Sequence, residues 1–354
     1  MIASVLALVR PDILALTPYS SARKESSGGR IWLDANENPE TPEAHRPLLN
    51  RYPEPQPAAL AATLATLYGV TPDRLLITRG SDEGIDLLLR TFCRAGQDAI
   101  LITPPTYGMY SVAAGIQGAR VVPVPLVLEK NFALDPAAVL AAIGPESGVK
   151  LVFLCSPNNP TGQLLDRAAV LLVARSLAGR AVVVVDEAYV DFAPQPSLAA
   201  ELAALPNLVI LRTLSKAYGL AGARVGATLA DPALIAVLHK VIAPYPVPTP
   251  VLQAALAALS PAGRAAAQES IRQLVAERLR LASALAKLPG IQQVWPGDAN
   301  FLLLRVADSA HVMAAGRAAG IIWRDRSKDV PCTIRLTVGT REENDATLEV
   351  LARV

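Results

Sequence analysis

Short apolar segments alternate with helical ones between about residues 60 and 230, and this alternation constrains the fold most. The apolar segments are "RLLIT", "DAILIT", "RVVPVPL", "VKLVFLC", "AVVVVD", "LVILRTLS" and "RVGATLA". Segments such as "PAALAATLATLYGV" and "SDEGIDLLLRTFC" lie between them and carry apolar residues at helical spacing. Because continuous β-branched runs flanked by helices are typical of parallel strands covered on both faces, the pattern predicts an α/β domain with a mostly parallel seven-stranded sheet.

The chain changes character after residue 230. A proline-rich break, "APYPVPTP", precedes long helices, and these lead into a βαββ-like tail that includes "FLLLRV" and "CTIRLTV". A chain of 354 residues exceeds the size at which one core keeps growing. We therefore expect a large domain over 46–250 and a smaller α+β domain over 251–354. The polar, proline-broken segment 1–45 is expected to pack on the small domain or on a partner subunit.

Composition excludes several classes of function. The formal net charge is only +2, without the basic stripe that nucleic acid requires. No apolar run approaches the roughly 20 residues that cross a bilayer, so no membrane partner is expected. The cysteines, Cys93, Cys155 and Cys332, are far apart, and no histidine has a partner at ligand spacing. We therefore predict no metal site and a cytoplasmic location.

Ligands in open α/β sheets bind at the carboxyl ends of the strands, so the residues after each predicted strand are candidates. After the first strand, the turn 79–84 leads into a helix whose N–H groups could hold a phosphate, although an ordinary capped helix has the same pattern. Tyr107 follows the second strand, and the proline- and asparagine-rich turn 156–162 follows the fourth.

An acid and a lysine follow the next two strands. Asp186 ends the apolar run "AVVVVD", where a carboxylate needs a cation or a strong donor, and Tyr189 comes three residues later. Lys216 follows "LVILRTLS". Of the 33 basic residues only 7 are lysines, which indicates that the amine itself is needed here, although a solvated lysine shows the same pattern when taken alone.

Together these strand ends bring a phosphate cradle, an aromatic ring, an amide, an acid, a phenol and a lysine to one edge of one sheet. That combination suits pyridoxal 5'-phosphate. A lysine can bond its aldehyde, an aspartate can keep its pyridine nitrogen protonated, and the cradle can hold its phosphate.

Several motifs resemble those of a known family. "SPNNPTG", "VVVDEAY" and "TLSKAYGLAGARVG" resemble the fold-type I, pyridoxal-phosphate-dependent aminotransferases. "ANENP", "RYPEPQP", "PPTYGMYSV" and "IRLTVGTREEN" resemble the histidinol-phosphate aminotransferase branch, and the resemblance runs from about Thr17 to Arg341. It implies a homodimer with shared active sites that moves an amino group between L-glutamate and imidazole-acetol phosphate, a step of histidine biosynthesis.

The resemblance also implies roles for individual residues. Lys216 bonds the cofactor and carries a proton, Asp186 pairs with the pyridine nitrogen, and Tyr189 and Asn159 bond the phenolic oxygen. Tyr107 stacks on the ring. The residues implied to hold the cofactor phosphate are Ser81, Asp82, Thr213, Ser215, Arg224 and, from the partner subunit, Tyr52.

Substrate contacts are implied for four further residues. Arg335 binds the α-carboxylate of the amino-acid donor, although the strand pattern leaves open which way its side chain points. Arg324 and Tyr19 bind the substrate phosphate, with Tyr19 acting across the dimer interface. Asn36 lies in the segment that covers the site, where Glu37 is a candidate for shaping the loop alone.

Three alternatives remain beside this interpretation. An aromatic amino-acid aminotransferase is disfavoured by the phosphate-binding pair of Arg324 and Tyr19. A threonine-phosphate decarboxylase of the same fold would keep both arginines, so the sequence separates it less cleanly. A non-catalytic effector domain of a transcription regulator would need an attached helix-turn-helix segment, for which we expect no room.

Overall fold

Seven strands form the large sheet of this computed structural model, which describes residues 4–18, 31, 33–40 and 49–354. The strands are β1 (Leu75–Thr78), β2 (Ala99–Ile102), β3 (Arg120–Pro123), β4 (Val149–Cys155), β5 (Val182–Asp186), β6 (Leu208–Thr213) and β7 (Gly226–Leu229). Their order is β1-β7-β6-β5-β4-β2-β3, and only β7 runs antiparallel to its neighbours. The predicted mostly parallel, seven-stranded sheet is confirmed.

Helices cover both faces of this sheet and continue into the C-terminal part. In the described residues the α-helices are α1 (Pro11–Leu14), α2 (Ala58–Tyr68), α3 (Gly80–Phe92), α4 (Met109–Gln117), α5 (Pro136–Ala141), α6 (Arg167–Ser176), α7 (Pro232–Val241), α8 (Thr249–Ala258), α9 (Pro261–Leu285), α10 (Ser309–Ala318) and α11 (Arg341–Leu351). Aspartate side chains cap the first turns of α5, α6 and α7, where backbone N–H groups lack helical partners.

Strand β5 shows why the sheet is buried on both faces. Val183 and Val185 join one apolar layer, whereas Val182 and Val184 join the other, because successive side chains point to opposite faces. Helices α2, α5 and α6 complete the first layer, and α3, α4 and α7 complete the second. The continuous apolar runs of the sequence follow from this double burial.

The start of the chain packs on the large domain. Val5, Leu8 and Val9 are buried in the layer that contains α3 and α7. Arg10 donates from its backbone nitrogen to the Thr91 carbonyl oxygen at 3.1 Å, at the end of α3. Residues 5–10 thus contact the large domain through apolar side chains that fill its core, while the packing of segment 1–45 on the small domain or on a partner subunit stays a prediction.

A second sheet lies in the C-terminal part. Its strands, β8 (Ile291–Trp295), β9 (Phe301–Val306), β10 (Arg324–Asp325) and β11 (Thr333–Thr337), are antiparallel in the order β10-β11-β9-β8. Strand β8 was not among the predicted strands, and strand β10 is only two residues long. The domain boundary at 250/251 stays a prediction, while Ala255 and Leu259 at α8 are buried in the large-domain core.

The two sheets are in direct contact. Trp295 and Leu303 of the small sheet belong to the apolar layer of the large one, and the Trp295 ring lies 5.3 Å from that of Phe132. Arg335 on β11 donates to the Asn159 side chain beyond the end of β4. Through these contacts the small sheet faces the carboxyl ends of the large-sheet strands.

Candidate active site

A cavity of about 540 Å³ lies where the large-sheet strand ends meet the small sheet. Asp186 ends β5, Thr213 ends β6 and Cys155 ends β4, and all three line it. The residues predicted from sequence that line the cavity are Ser81, Asp82, Tyr107, Asn159, Asp186, Tyr189, Thr213, Ser215, Lys216, Arg224, Arg324 and Arg335. Side chains that are far apart in sequence thus meet in one place.

One end of the cavity is built for an anion. Helix α3 begins at Gly80, so the unpaired N–H groups of its first turn point into this end. Thr213 Oγ1 donates to Ser215 Oγ at 2.9 Å, and Arg224 Nη1 donates to the same Ser215 Oγ at 3.3 Å. Backbone N–H groups, hydroxyls and a guanidinium together form a donor set that suits a phosphate.

Two glycines keep the phosphate-binding end of the cavity, the cradle, narrow. Gly80 has a φ of +74°, and a Cβ there would lie 2.6 Å from Arg224 Nη2. A Cβ on Gly226 would lie 2.5 Å from the Gly80 carbonyl carbon and 2.8 Å from Ser81 N. The helix start can therefore approach β7 only because both positions lack a side chain.

Asp186 is buried at the floor of the cavity and holds two hydrogen bonds. Its Oδ2 accepts from Tyr110 Oη at 2.8 Å, and its Oδ1 accepts from Ala188 N at 3.1 Å. Burial raises the pKa of Asp186 to about 6, although both hydrogen bonds act in the opposite direction. Among the described residues no lysine or arginine pairs with this carboxylate, so it suits a cationic N–H from a ligand.

Lys216 projects into the cavity after β6. Its Nζ lies 5.7 Å from the centre of the Tyr189 ring. Burial lowers the pKa of Lys216, and the positive charges of Arg335 and Arg224 lower it further, while Asp82 acts against them. A lysine with a lowered pKa is a better nucleophile and base near neutral pH than a solvated one.

Asn159 connects the large sheet with the small one. Its Nδ2 donates to Tyr189 Oη at 3.5 Å, and its Oδ1 accepts from Arg335 Nη1. The Tyr189 ring meets Phe301 edge to face at 5.1 Å, and the Arg335 guanidinium lies 5.2 Å from the centre of the same Phe301 ring. These contacts fix the orientation of three polar side chains at once.

Arginines form the wall opposite the cradle. Arg324 and Arg335 lie directly across from each other on β10 and β11 and therefore share one face of the sheet. This settles the direction that the strand pattern left open, since Arg335 faces the cavity. Arg326, two residues beyond Arg324, lines the cavity too and was not among the predicted site residues.

Two of the described residues predicted from sequence, Tyr52 and Asn36, do not line this cavity. Tyr52 is half exposed and its ring stacks on Tyr245 at 4.5 Å. Asn36 is exposed, with a φ of +54°. Tyr19 lies outside the described residues. Glu37, the candidate for shaping the loop, accepts hydrogen bonds from Arg51 Nη1 and Tyr52 N, each at 2.7 Å.

Sequence reasoning missed three polar residues of the site. Tyr110 lies within α4, where its spacing resembles that of a core aromatic. Cys155 ends an apolar strand and lines the cavity floor, where burial raises the pKa of its thiol. Arg326 stands in the charged run "RDRSKD", which resembles a solvated loop. Of these three residues, only Cys155 gave a signal in the sequence, because it ends a predicted strand.

The residues present fit pyridoxal phosphate. The cradle could hold its phosphate, Asp186 its ring nitrogen, Tyr189 and Asn159 its phenolic oxygen, and Lys216 its aldehyde. Among the described residues, no group of three His, Cys, Asp or Glu side chains could hold a metal ion. None of the helices in that part of the chain is long and apolar enough to cross a membrane.

Comparison with known proteins agrees with this geometry. The family model described as aminotransferase class I and II matches residues 31–351. Histidinol-phosphate aminotransferases from Stenotrophomonas maltophilia (strain R551-3) and Aeromonas salmonicida (strain A449) are each 48% identical to the chain, cover 98% of it, and are themselves covered over 96% and 98% of their length.

A solved structure shows the same architecture. The histidinol-phosphate aminotransferase from Sinorhizobium meliloti in complex with pyridoxal-5'-phosphate superimposes with a TM-score of 0.77 at 28% identity. The match covers 86% of this chain and 83% of that one. The predicted fold type I architecture is confirmed, and the chain belongs to the class I and II aminotransferase family.

Proposed function

We propose that this chain is a histidinol-phosphate aminotransferase that uses pyridoxal phosphate. It transfers an amino group between L-glutamate and imidazole-acetol phosphate and forms 2-oxoglutarate and L-histidinol phosphate. The observation that carries the proposal is one cavity in which Lys216, Asp186 and the phosphate cradle face the paired arginines Arg324 and Arg335. Near-full-length identity of 48% to curated histidinol-phosphate aminotransferases supports the choice of substrate.

Lys216 moves the proton in this reaction. Bound pyridoxal phosphate supplies an aldehyde for the amino group and a ring that accepts the electron pair released at the substrate Cα. Lys216 Nζ takes the proton from Cα and returns it to the cofactor side. Burial and the neighbouring Arg335 lower its pKa, which favours the neutral amine that acts as a base.

Asp186, Tyr189 and Asn159 hold the cofactor ring. The Asp186 carboxylate, oriented by Tyr110 and Ala188, would accept a hydrogen bond from the pyridinium N–H. Tyr189 Oη and Asn159 Nδ2, which lie 3.5 Å apart, would bond the phenolic oxygen. A carboxylate held by two donors keeps the ring nitrogen protonated, which the reaction requires.

Arginines let one site accept two different donors. Glutamate carries two carboxylates, whereas histidinol phosphate carries a phosphate and no α-carboxylate. The forked guanidinium of Arg335 suits the α-carboxylate, and Arg324 beside it suits the distal anion. Stacking on Phe301 and the bond to Asn159 hold Arg335 in place for either substrate.

The proposal includes a homodimer in the cytoplasm. Tyr52 and Tyr19 complete the partner's site, with Tyr52 bonding the cofactor phosphate and Tyr19 the substrate phosphate. Exposed apolar side chains of the N-terminal segment support this, since Ile31 and Leu33 are 82% and 88% exposed in the single chain. The free cysteines are compatible with a reducing compartment.

Absorbance spectroscopy tests the proposal. The purified, cofactor-loaded protein is mixed with L-histidinol phosphate, and the visible band of the lysine-bound cofactor is followed. We expect the band to disappear and to return when 2-oxoglutarate is added. A band that does not respond to L-histidinol phosphate would contradict the substrate assignment.

The same preparation separates the alternatives. An aromatic amino-acid aminotransferase would respond to L-phenylalanine more strongly than to L-histidinol phosphate. A threonine-phosphate decarboxylase would release carbon dioxide from L-threonine O-3-phosphate. We expect neither of these outcomes, and each would favour its own alternative.

A further inference from the structure

Arg326 lies on the small-sheet wall of the cavity, next to Arg324 and Arg335, which face each other across β10 and β11. Its backbone nitrogen donates to the Thr333 carbonyl oxygen at 2.9 Å, which continues the β10–β11 ladder by one residue. Because side chains alternate along a strand, Arg326 and Arg324 share the face that Arg335 occupies. The positive charge of Arg326 also contributes to the lowered pKa of Arg335, after burial and ahead of Arg324.

The charge of Arg326 has one carboxylate partner among the described residues. Its Nε lies 3.0 Å from Asp329 Oδ2, three residues away on the following turn. The pair lacks the alignment of a hydrogen bond, since Arg326 Nε is buried without a hydrogen-bond partner in the described part of the chain. Asp329 therefore neutralises part of the positive charge of Arg326 without satisfying all of its N–H donors.

The cavity carries more positive charge than an amino-acid substrate needs. Lys216, Arg224, Arg324, Arg326 and Arg335 line it against the carboxylates Asp82 and Asp186. The cradle directs Arg224 to the cofactor phosphate, which leaves three arginines for the substrate. A carboxylate pairs with one guanidinium fork, whereas a phosphate monoester has nearly two negative charges and three oxygens, enough for two forks.

We propose that Arg326 is a specificity-determining residue that leaves Asp329 and binds the phosphate of the substrate together with Arg324. Asp329 holds the guanidinium when no phosphate is present and competes with the phosphate for it. The selectivity for a phosphate-bearing donor over a carboxylate-bearing one then depends on Arg326. This inference rests on the proposed function, since it concerns the substrate subsite of the same cavity.

Three substitutions on one turn test the inference. Arg326→Gln should raise KM for L-histidinol phosphate about 10- to 100-fold, because a charge-assisted hydrogen bond is lost. Asp329→Asn should lower the same KM about threefold, because the competing carboxylate is gone. Lys328→Gln is the matched control, since it removes one positive charge from an exposed position that does not line the cavity. KM for L-phenylalanine, which has no phosphate, should change less than about threefold in all three.

Binding without turnover gives a second measurement. In a Lys216→Ala background, calorimetry of the cofactor-loaded protein with L-histidinol phosphate should show the same weakening for Arg326→Gln and the same tightening for Asp329→Asn. Arg326→Lys, which keeps the charge and loses the fork, should fall between Arg326→Gln and the unaltered residue. An unchanged KM for L-phenylalanine would show that the weakening is not caused by a folding defect, because misfolding would affect both donors.

Two results would overturn the inference. Equal effects of Arg326→Gln and Lys328→Gln would mean that only long-range charge matters, and a raised KM in Asp329→Asn would mean that the pair acts as a structural unit. Failure of the proposed function has a different signature, since the unaltered protein would then not transfer the amino group of L-histidinol phosphate. The calorimetric comparison would still report whether Arg326 contacts the phosphate.

Discussion

The two walls of the cavity differ in how far their polar groups are already satisfied. On the large-sheet wall, Asp186 has two donors, and Arg224 is hydrogen-bonded to Ser215 and paired with Asp82 at 3.1 Å. On the small-sheet wall, Arg324 and Arg335 have no carboxylate partner among the described residues, and Arg326 has only Asp329 at 3.0 Å. A preorganised wall serves a chemistry that does not change, whereas a wall with unpaired guanidinium groups serves oxyanions that come and go.

The largest expected effect is on the large-sheet wall. Lys216→Ala should lower kcat by about 10⁴-fold, because the amine that moves the proton is lost, while the cofactor still binds through its phosphate. Single-turnover kinetics and the spectrum of bound cofactor measure the two properties separately. Lys130→Ala, at an exposed lysine that does not line the cavity, is the control. Normal turnover in Lys216→Ala would refute the role of this residue.

A smaller effect is expected on the small-sheet wall. Arg335→Leu should lower kcat/KM for L-glutamate by about 100-fold, because the bidentate partner of the α-carboxylate is removed. The cofactor should remain bound, because the phosphate cradle and Asp186 lie on the other wall. Steady-state kinetics measure the loss, and Arg317→Leu on the exposed face of α10 is the matched control. An equal loss of kcat/KM in Arg335→Leu and Arg317→Leu would contradict a specific role of the small-sheet wall in binding the carboxylate.

The cradle itself can be tested through its glycines. Gly226→Ala should lower the free energy of unfolding by about 2 kcal/mol and weaken cofactor binding, because the new Cβ would overlap the Gly80–Ser81 backbone. Chemical denaturation and cofactor titration measure both effects. Gly222→Ala is the control, since its Cβ meets no atom within 4 Å. If the two variants behave alike, the narrow approach of α3 to β7 does not matter for the cradle.

The smallest effect concerns pH. Because burial places the pKa of Asp186 near 6 in the cofactor-free chain, the carboxylate gains a proton as the pH falls below about 6 and cofactor affinity should decrease there. Tyr110→Phe removes a hydrogen bond that lowers this pKa, so the decrease should begin at higher pH, with about tenfold weaker binding near neutrality. Fluorescence titration from about pH 5 to pH 8 measures the shift, and an unmoved midpoint would contradict the role of Tyr110.

The sequence predicts the large-sheet wall better than the small-sheet wall. All seven large-sheet strands follow from apolar runs, and in the six strands other than the partly exposed edge strand β3 double burial leaves a strong signal in the side chains. Asp186 and Lys216 stand directly after such strands, so their place at one sheet edge could be inferred. Strand β8, "IQQVW", is short and contains two exposed glutamines, and its pairing with β9 depends on tertiary contacts.

Other parts of the site could not be predicted because they depend on contacts between distant residues. Tyr110 bonds Asp186 across 76 positions of sequence, and nothing in the helix pattern of α4 distinguishes it from a core aromatic. Arg326 lies in a charged run typical of a solvated loop, and only the β10–β11 pairing turns it toward the cavity. The burial of Val5 in the large-domain core depends likewise on where α3 and α7 lie.

One ratio tests most directly whether the small-sheet wall selects a phosphate-bearing donor. The unaltered protein is assayed under the same conditions with L-histidinol phosphate and with L-phenylalanine as amino donors, and kcat/KM is compared. Guanidinium groups without carboxylate partners predict a ratio of at least about 100 in favour of L-histidinol phosphate, because L-phenylalanine lacks the phosphate and forgoes charge-assisted hydrogen bonds worth about 3 kcal/mol. A ratio of one or less would contradict the assignment of this wall to phosphate recognition.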